Sequence, residues 1–360
     1  MAEQGRGIGI MDVARRAGVS AATVSRALRG LPNVSRETRT RVLSAADDLG
    51  YAASPLASAL ATGRMRSVGV VLPYAGRWFF AEVVRGIEAA LRRHGYDLVL
   101  HVLADDGRRE EFFASLPVRR RVDALLLVAL DVTADEAAVL QELGLPLAWV
   151  GEPVEGVHGE LVDDREAARV AVRHLIELGH RRIASLSGDL SGARGSGPAR
   201  RRTAGYRDAL GAEGLDASAE WLRDGGFTAD GAYRATLEML AAEAGERPTA
   251  VFCQSDEMAF GTLGALRRLG LRSPQDVSVV GLDGHELAAT FDLTTVAQPV
   301  HDLGAHAARW LVARLAADAD DEDDENEDDE DHDPVGADDD GPHVHPVTLF
   351  ARGSTGPAPS

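Results

Sequence analysis

From Ser67 onward the chain repeats one texture: a short apolar run, a turn, and an amphipathic stretch of helical length. The runs SVGVVLP, YDLVLHVL, VDALLLVAL and PLAWVG come first, and RRIASLSG, AVFCQS, VSVVGLDG and TTVAQ come later. Strands apolar on both faces belong in a parallel sheet covered by helices on each side, because a strand with one wet face would alternate. Gly95, Gly144, Gly179 and Gly270 each follow a helical stretch, where a left-handed stop is needed. The series occurs twice, to about residue 162 and again from about 163 to 292, without clear sequence repetition. Two doubly wound lobes with a cleft between them are the economical outcome.

With 360 residues, 45% of them hydrophobic, the chain has room for two or three domains and a large core. No segment reaches the roughly 18 uninterrupted apolar residues that a membrane span requires. The start, MAEQGRGIGIMD, lacks the basic residues and apolar run of a secretory signal, so a cytoplasmic location is expected. A single cysteine, Cys253, cannot make an internal disulfide, and in the run AVFC it reads as a small core residue.

The first fifty residues have a different pattern. In DVARRAGVSAATVSRAL, Val13, Ala14 and Ala17 share one helical face and leave Arg15 and Arg16 for solvent or phosphate. Gly18 supplies a sharp turn, Val19 an apolar plug, and Ser20 an N-cap. In the second helix Val24, Ala27 and Leu28 pack inward, which leaves Ala21, Ala22, Ser25 and Arg26 outside. This is the layout of a helix-turn-helix whose second helix enters a DNA major groove by its N-terminal end, although an ordinary helical hairpin carries the same spacing. A third helix follows from Arg36 to Leu49, capped by Ser35 and stopped by Gly50, and three short helices can bury one small core.

Charge divides in the same way. The chain carries net −19, yet residues 1–66 hold ten Arg against five acids, while residues 318–340 hold sixteen acids and no Arg. Positive charge therefore lies where the helix-turn-helix is. The acidic run, DADDEDDENEDDEDHDPVGADDDGP, repels itself and offers no apolar surface, so it is expected to be a disordered loop. His332, His343 and His345 stand beside it at irregular spacing in a chain unsuited to a rigid dehydrated cage, so no metal site is expected.

Through DVARRAGVSAATVSRAL, NVSRETRTRV and LGY, and then along nearly the whole length, the chain resembles the lactose/galactose repressor family of bacterial transcription regulators. The resemblance implies a type I periplasmic-binding-protein-like effector domain in which the chain crosses between lobes three times, near 163, near 292, and again after a helix from His301 to Ala316. It also implies that the segment AASPLASALATGR is a hinge helix that orders on operator DNA, with Leu60 wedged into the minor groove and Ala57 supporting it. The DNA-contacting set is then Ser20, Ala21, Ala22, Thr23, Ser25, Arg26 and Asn33 with Ala57 and Leu60.

The expected division is a small all-α headpiece at 1–53, a hinge and linker at 54–66, and a first lobe of 67–162 with about 293–317. The second lobe is 163–292 with 346–354, and 318–342 is an acidic insertion before a last strand, HPVTLFARGST. Ligands in open α/β lobes bind outside the C-terminal ends of the strands. Those ends present Tyr74, Asp131, Gly151, Asp189, Phe227, Asp256 and Asp283, with Trp78 and Phe79 opening the first helix, a mixture of carboxylates and aromatic faces suited to a sugar. The resemblance adds Arg202 and Ser255 and marks Asp256 and Asp283 again. Gly151 and Ser255 depart from relatives that carry an acid and Asn there, which puts the effector's identity in doubt.

No strand leads into GxGxxG, no GxxxxGK[ST] occurs, SGDLSGARGSG lacks either spacing, and no Ser/His/Asp set is placed by a motif. A catalytic reading therefore has no support. The expected function is an effector-controlled DNA-binding regulator, a repressor acting as a homodimer on a pseudo-palindromic operator, without cofactor or membrane partner. A dimer is favoured over a tetramer because no leucine-heptad tail follows Pro342. The alternatives are a solute receptor with no DNA role and a corepressor-dependent regulator of non-sugar metabolism.

Overall fold

The computed structural model describes residues 8–28, 33–51, 64–188, 197–241, 247–323 and 341–359, with side chains omitted for 318–323. The hinge residues Ala57 and Leu60, the strand-end residue Asp189, and His332 lie outside these segments. The chain divides into two compact units, 1–65 and 66–360.

The first unit contains α1 (Ile10–Ala17), α2 (Ala21–Leu28) and α3 (Arg36–Leu49). Gly18, at φ 67°, ends α1 in the left-handed conformation that a residue without Cβ adopts freely. Ser20 Oγ then accepts from the Thr23 N–H at 3.1 Å and opens α2, and Ser35 caps α3 in the same way at 3.2 Å. Val13, Ala14, Ala17, Val24, Ala27, Val42, Ala45 and Ala46 form the core. Alanine dominates it, so each valine matters; removing two methyl groups at Val24 would cost about 2 kcal/mol. The Arg41 guanidinium donates to the Ala17 carbonyl at 3.0 Å and ties α3 to the end of α1.

The second unit holds two six-stranded sheets. The first comprises β1 (Ser67–Leu72), β2 (Asp97–Val102), β3 (Ala124–Val128), β4 (Leu147–Val150), β5 (His158–Val162) and β11 (Pro342–His345), in the order β11-β5-β4-β3-β1-β2, all parallel. The second comprises β6 (Ile183–Ser187), β7 (Leu222–Asp224), β8 (Ala250–Cys253), β9 (Ser278–Asp283), β10 (Thr294–Ala297) and β12 (Thr348–Phe350), in the order β12-β10-β9-β8-β6-β7. Only β12 pairs antiparallel.

Helices cover both faces of each sheet. In the first lobe α4 (Trp78–Arg93) and α11 (Val300–Asp323) pack on one face, and α5 (Asp106–Ser115) and α6 (Ala134–Gln141) are on the other. In the second, α7 (Asp164–Glu177) and α8 (Gly197–Ala212) oppose α9 (Ala229–Met239) and α10 (Asp256–Leu269). Helices α4 and α11 cross so closely that a Cβ on Gly86 would lie 2.0 Å from the His301 carbonyl oxygen, and one on Gly304 2.2 Å from that of Val83.

Three boundaries differ from the expected ones. Thr294–Ala297 is β10 of the second sheet, paired with β9, so the second crossing falls at 298–299 rather than near 292, and the first lobe's returning segment begins there rather than at 293. The last strand is two strands: β11 joins the first sheet beside β5 and β12 joins the second. Pro346 separates them, because it has no N–H to offer either ladder. The insertion therefore gives way to ordered first-lobe chain by Pro342, and α11 runs to Asp323, past the expected stop at Ala316 and into the acidic run. Strands β5 and β7 went unforeseen, the first because HGELV breaks its apolar run with Glu160, the second because three half-exposed residues carry no pattern.

Candidate ligand cleft and nucleic-acid interface

In the headpiece, the outer side of α2 presents exposed Ala22 and Arg26 and half-buried Ala21, Thr23 and Ser25, with exposed Ser20 at its start. The Ser20 and Thr23 hydroxyls bond each other at 2.8 Å, which fixes the N-terminal turn. Exposed Asn33 sits at φ 67°, a left-handed position asparagine tolerates. Arg15 and Arg16 are exposed but already paired, Arg15 with Asp12 at 3.2 Å and Arg16 with Asp48 at 2.8 Å.

Between the lobes lies a cavity of about 280 Å3. Seven of the nine proposed ligand residues line it: Tyr74, Phe79, Asp131, Arg202, Phe227, Ser255 and Asp283, with Gly151 beside them. Arg202 is its centre. This buried guanidinium donates from Nε to Asp164 Oδ1 at 2.7 Å and from Nη1 to the Gln254 carbonyl, stands 3.6 Å from Asp283 Oδ1, and faces the Phe227 ring at 6.0 Å. Asp283 is held at φ 136°, a backbone strain for a side chain with a Cβ, and accepts from Gln298 Nε2 at 2.7 Å. Burial pushes its carboxyl up to about 8, against the opposing pull of Arg202.

Two proposed residues point elsewhere. Asp256 turns its Oδ2 to the N–H groups of Gly284 at 2.9 Å and His285 at 2.8 Å, so it shapes the loop after β9 rather than the cavity. Burial raises its carboxyl to about 6. Trp78 stacks on His285 with ring centroids 4.7 Å apart and donates from Nε1 to the Glu286 carboxylate. Trp78 stands one helical step of about 100° from Phe79, and its ring goes to His285 rather than to the cavity. It spans the two lobes instead.

Sequence reasoning missed Phe80, Arg109, Glu152, Asp164, Glu257 and Gln298 on the cavity wall. Arg109 is buried, donating to Glu136 Oε1 at 2.7 Å and to the Asp131 carbonyl at 2.6 Å. Burial would raise the Glu136 carboxyl, but the Arg109 guanidinium and the Thr133 N–H together hold it below its usual range. Burial raises Glu152 despite its pairing with Arg201 at 3.2 Å, and Arg201 also donates to Asp164 Oδ2 at 2.9 Å. Asp164, the second acid of LVDD just past a strand, carried the clearest overlooked signal. Arg200 approaches Asp131 at 3.8 Å, so the lobes are bridged by Arg200–Asp131, Arg201–Glu152 and Trp78–His285.

Away from the cleft, the structure groups His343 and His345 with Glu160 and His306, partners that lay far away in sequence. No helix among the described residues is long and apolar enough to cross a membrane.

A helix-turn-helix headpiece and a two-lobed domain with an interlobe cavity, in one chain, define a ligand-responsive bacterial regulator. Residues 9–54 match the bacterial regulatory proteins of the lacI family, and residues 172–332 match the periplasmic binding protein-like domain. The HTH-type transcriptional repressor PurR of Vibrio vulnificus (strain CMCP6) is 33% identical over 313 residues, covering 85% of this chain and 91% of that one. The transcriptional regulator CelR, solved with cellobiose, superimposes with a TM-score of 0.67 at 31% identity over 96% of this chain and 99% of CelR. The Lac repressor dimer bound to operator and the anti-inducer ONPF gives a TM-score of 0.81 at 26% identity over 98% of this chain and 100% of that one. The chain belongs to the LacI family: it is a DNA-binding transcriptional regulator under small-molecule control.

Proposed function

We propose that the chain is a cytoplasmic repressor that binds a pseudo-palindromic operator as a homodimer and is controlled by a neutral sugar held between its lobes. What carries the reading is the charge state of the cavity. Among the described residues the cations on its wall are engaged: Arg202 with Asp164, Arg109 with Glu136, and Arg77 over the Tyr74 ring at 3.8 Å. With Asp131, Glu152 and Glu257 also present, an anionic ligand would meet no surplus of positive charge among the described residues. A polyhydroxyl ligand fits, because carboxylates accept paired hydroxyl protons while Arg202 donates and Tyr74, Phe79 and Phe227 offer faces to C–H surfaces. The volume is near the lower end for ligand sites and suits a small saccharide. CelR, solved with cellobiose, supports the class of ligand.

Ligand that binds the closed lobes better than the open ones shifts their angle, and a coupling of about 1–3 kcal/mol suffices to change operator occupancy. A second reading, a heterocyclic corepressor stacked on the cavity's aromatics, is favoured by four aromatic side chains, Tyr74, Phe79, Phe80 and Phe227, in one small site. One experiment separates the two: anisotropy of a labelled palindrome from the gene's upstream region, with neutral sugars, phosphorylated sugars and nucleobases added in turn. Release by a neutral sugar alone supports the proposal. A response only to nucleobases supports the second reading, and a response only to phosphorylated sugars defeats both.

A further inference from the structure

We propose that Glu160, His306, His343 and His345 form a binding site for a divalent cation of zinc type, on the first lobe and away from the cleft. Strand β11 pairs with β5 in parallel, with His343 opposite Glu160. Residues two apart on a strand share a face, so His345 joins them, and α11 lays His306 over the same face. The four ligand atoms lie within 4.8 Å of one another, with His343 Nδ1 3.1 Å from Glu160 Oε2 and His345 Nε2 closer still to the same oxygen.

The donor set determines the ion. Three imidazoles and one carboxylate make an N3O site, which favours zinc and its neighbours over magnesium or calcium. Zinc bonds to N and O are about 2.0–2.2 Å, so tetrahedral ligand atoms stand roughly 3.3 Å apart, and the group, now spanning 4.8 Å, reaches that by contracting roughly 1.5 Å at its widest. Glu160 is only 3% exposed, and a carboxylate so placed needs close polar partners, which β11 and α11 gather on one side of it. Its other oxygen is taken: Oε1 lies 3.2 Å from His158 Nε2, and the His158 ring lies flat on Trp310 at 4.4 Å. His158 is thus a positioning residue that leaves Oε2 free for metal. Half-exposed His343 gives the ion an entry path.

Among the described residues, strand β11 has a partner on one side only, and it leads directly into the third crossing between lobes. Bound metal would fasten it to α11 and so join the two ends of the acidic run.

The test uses the full chain without a histidine tag, stripped by chelator. Cobalt(II) titration should give the strong visible band of four-coordinate cobalt at one equivalent, displaced by zinc, and zinc should raise the melting temperature. His306→Ala and His343→Ala, at partly exposed positions, should each abolish the band and the thermal shift, and His158→Phe should weaken zinc about 10-fold. Replacing residues 324–340 by a Gly/Ser linker should leave both signals intact. No band in the wild type, a band that survives both histidine variants, or signals lost only in the linker variant would each overturn the site.

Discussion

Trp78, in the first turn of α4, is seated on the His285 ring of the opposite lobe at 4.7 Å, and its indole N–H reaches the neighbouring Glu286 carboxylate. A hydrogen bond to a charged group is worth about 1.5–3 kcal/mol, and this one joins the two lobes across the cleft. Trp78→Ala should therefore favour the open form: hydrogen exchange should speed up through residues 285–288, and effector affinity should fall about 10-fold. Unchanged exchange there would mean that the contact does not hold the lobes.

Arg202 serves the protein as well as its ligand. Replacing it by Met leaves the buried Asp164 with Arg201 alone and the Gln254 carbonyl without its donor. Breaking a buried pair costs about 3–5 kcal/mol, so scanning calorimetry should show the large domain melting roughly 6–15 °C lower. Melting at the wild-type temperature would make Arg202 a ligand contact only.

Asp283 should make stability depend on pH. Its folded carboxyl lies near 8, above the ordinary value, so the fold holds a proton that the unfolded chain releases. That contribution is full below the ordinary carboxyl range and is lost as pH rises through about 8. Asp283→Asn keeps an acceptor for Gln298 but cannot ionise. Its melting temperature should fall less than that of the wild type between about pH 5 and about pH 9, with a residual slope from Asp256. Parallel slopes would show that Arg202 keeps Asp283 ionised.

The exposed N-terminal part of α2 is nearly all small residues, so Arg26 is expected to be its main base-reading side chain, pairing with guanine O6 and N7. Arg26→Ala should cost about 1–3 kcal/mol on the operator and relax one position of each half-site. Equal losses on operator and scrambled DNA would make it a phosphate contact.

The acidic run should weaken nonspecific DNA binding by competing for the headpiece arginines. Screening acts over about 8 Å at physiological salt, so replacing residues 324–340 by a neutral linker should strengthen nonspecific binding at low salt and matter little at high salt. An unchanged affinity at low salt would leave the run without that role.

What the chain revealed in advance depended on how local the information was. Strand β1 is buried along its whole length and reads directly as a core strand, and Ser20 and Gly18 announce the turn between α1 and α2 by their own chemistry. Hydrogen-bond partners are not local: nothing in TTVAQ says that it lies beside β9 rather than in the other sheet. The cleft was legible at strand ends, where Asp131, Phe227 and Asp283 fall, and illegible where a helix phase or a remote pairing decided. Trp78 and Phe79 differ by one step of rotation, and Arg109 reaches the cavity wall only because Glu136 and the Asp131 carbonyl hold it there. Glu160 and His306 could not be matched by spacing at all.

The crossing of the chain between lobes also governs its birth. Five strands of the first sheet are complete once Val162 is made, but Leu303, Leu311 and Leu315, which cover the apolar face formed by Val68, Val70 and Leu126, arrive after the whole of the second sheet except β12. At about 5–20 residues per second that face waits roughly 7–30 s for its cover during synthesis. The second lobe waits as well, since Ser354 and Gly356 complete its hydrogen bonds to Val279 and Ser278. Neither lobe can complete its packing before the other has been translated, whereas the headpiece, a separate compact unit, is whole in sequence before either lobe begins.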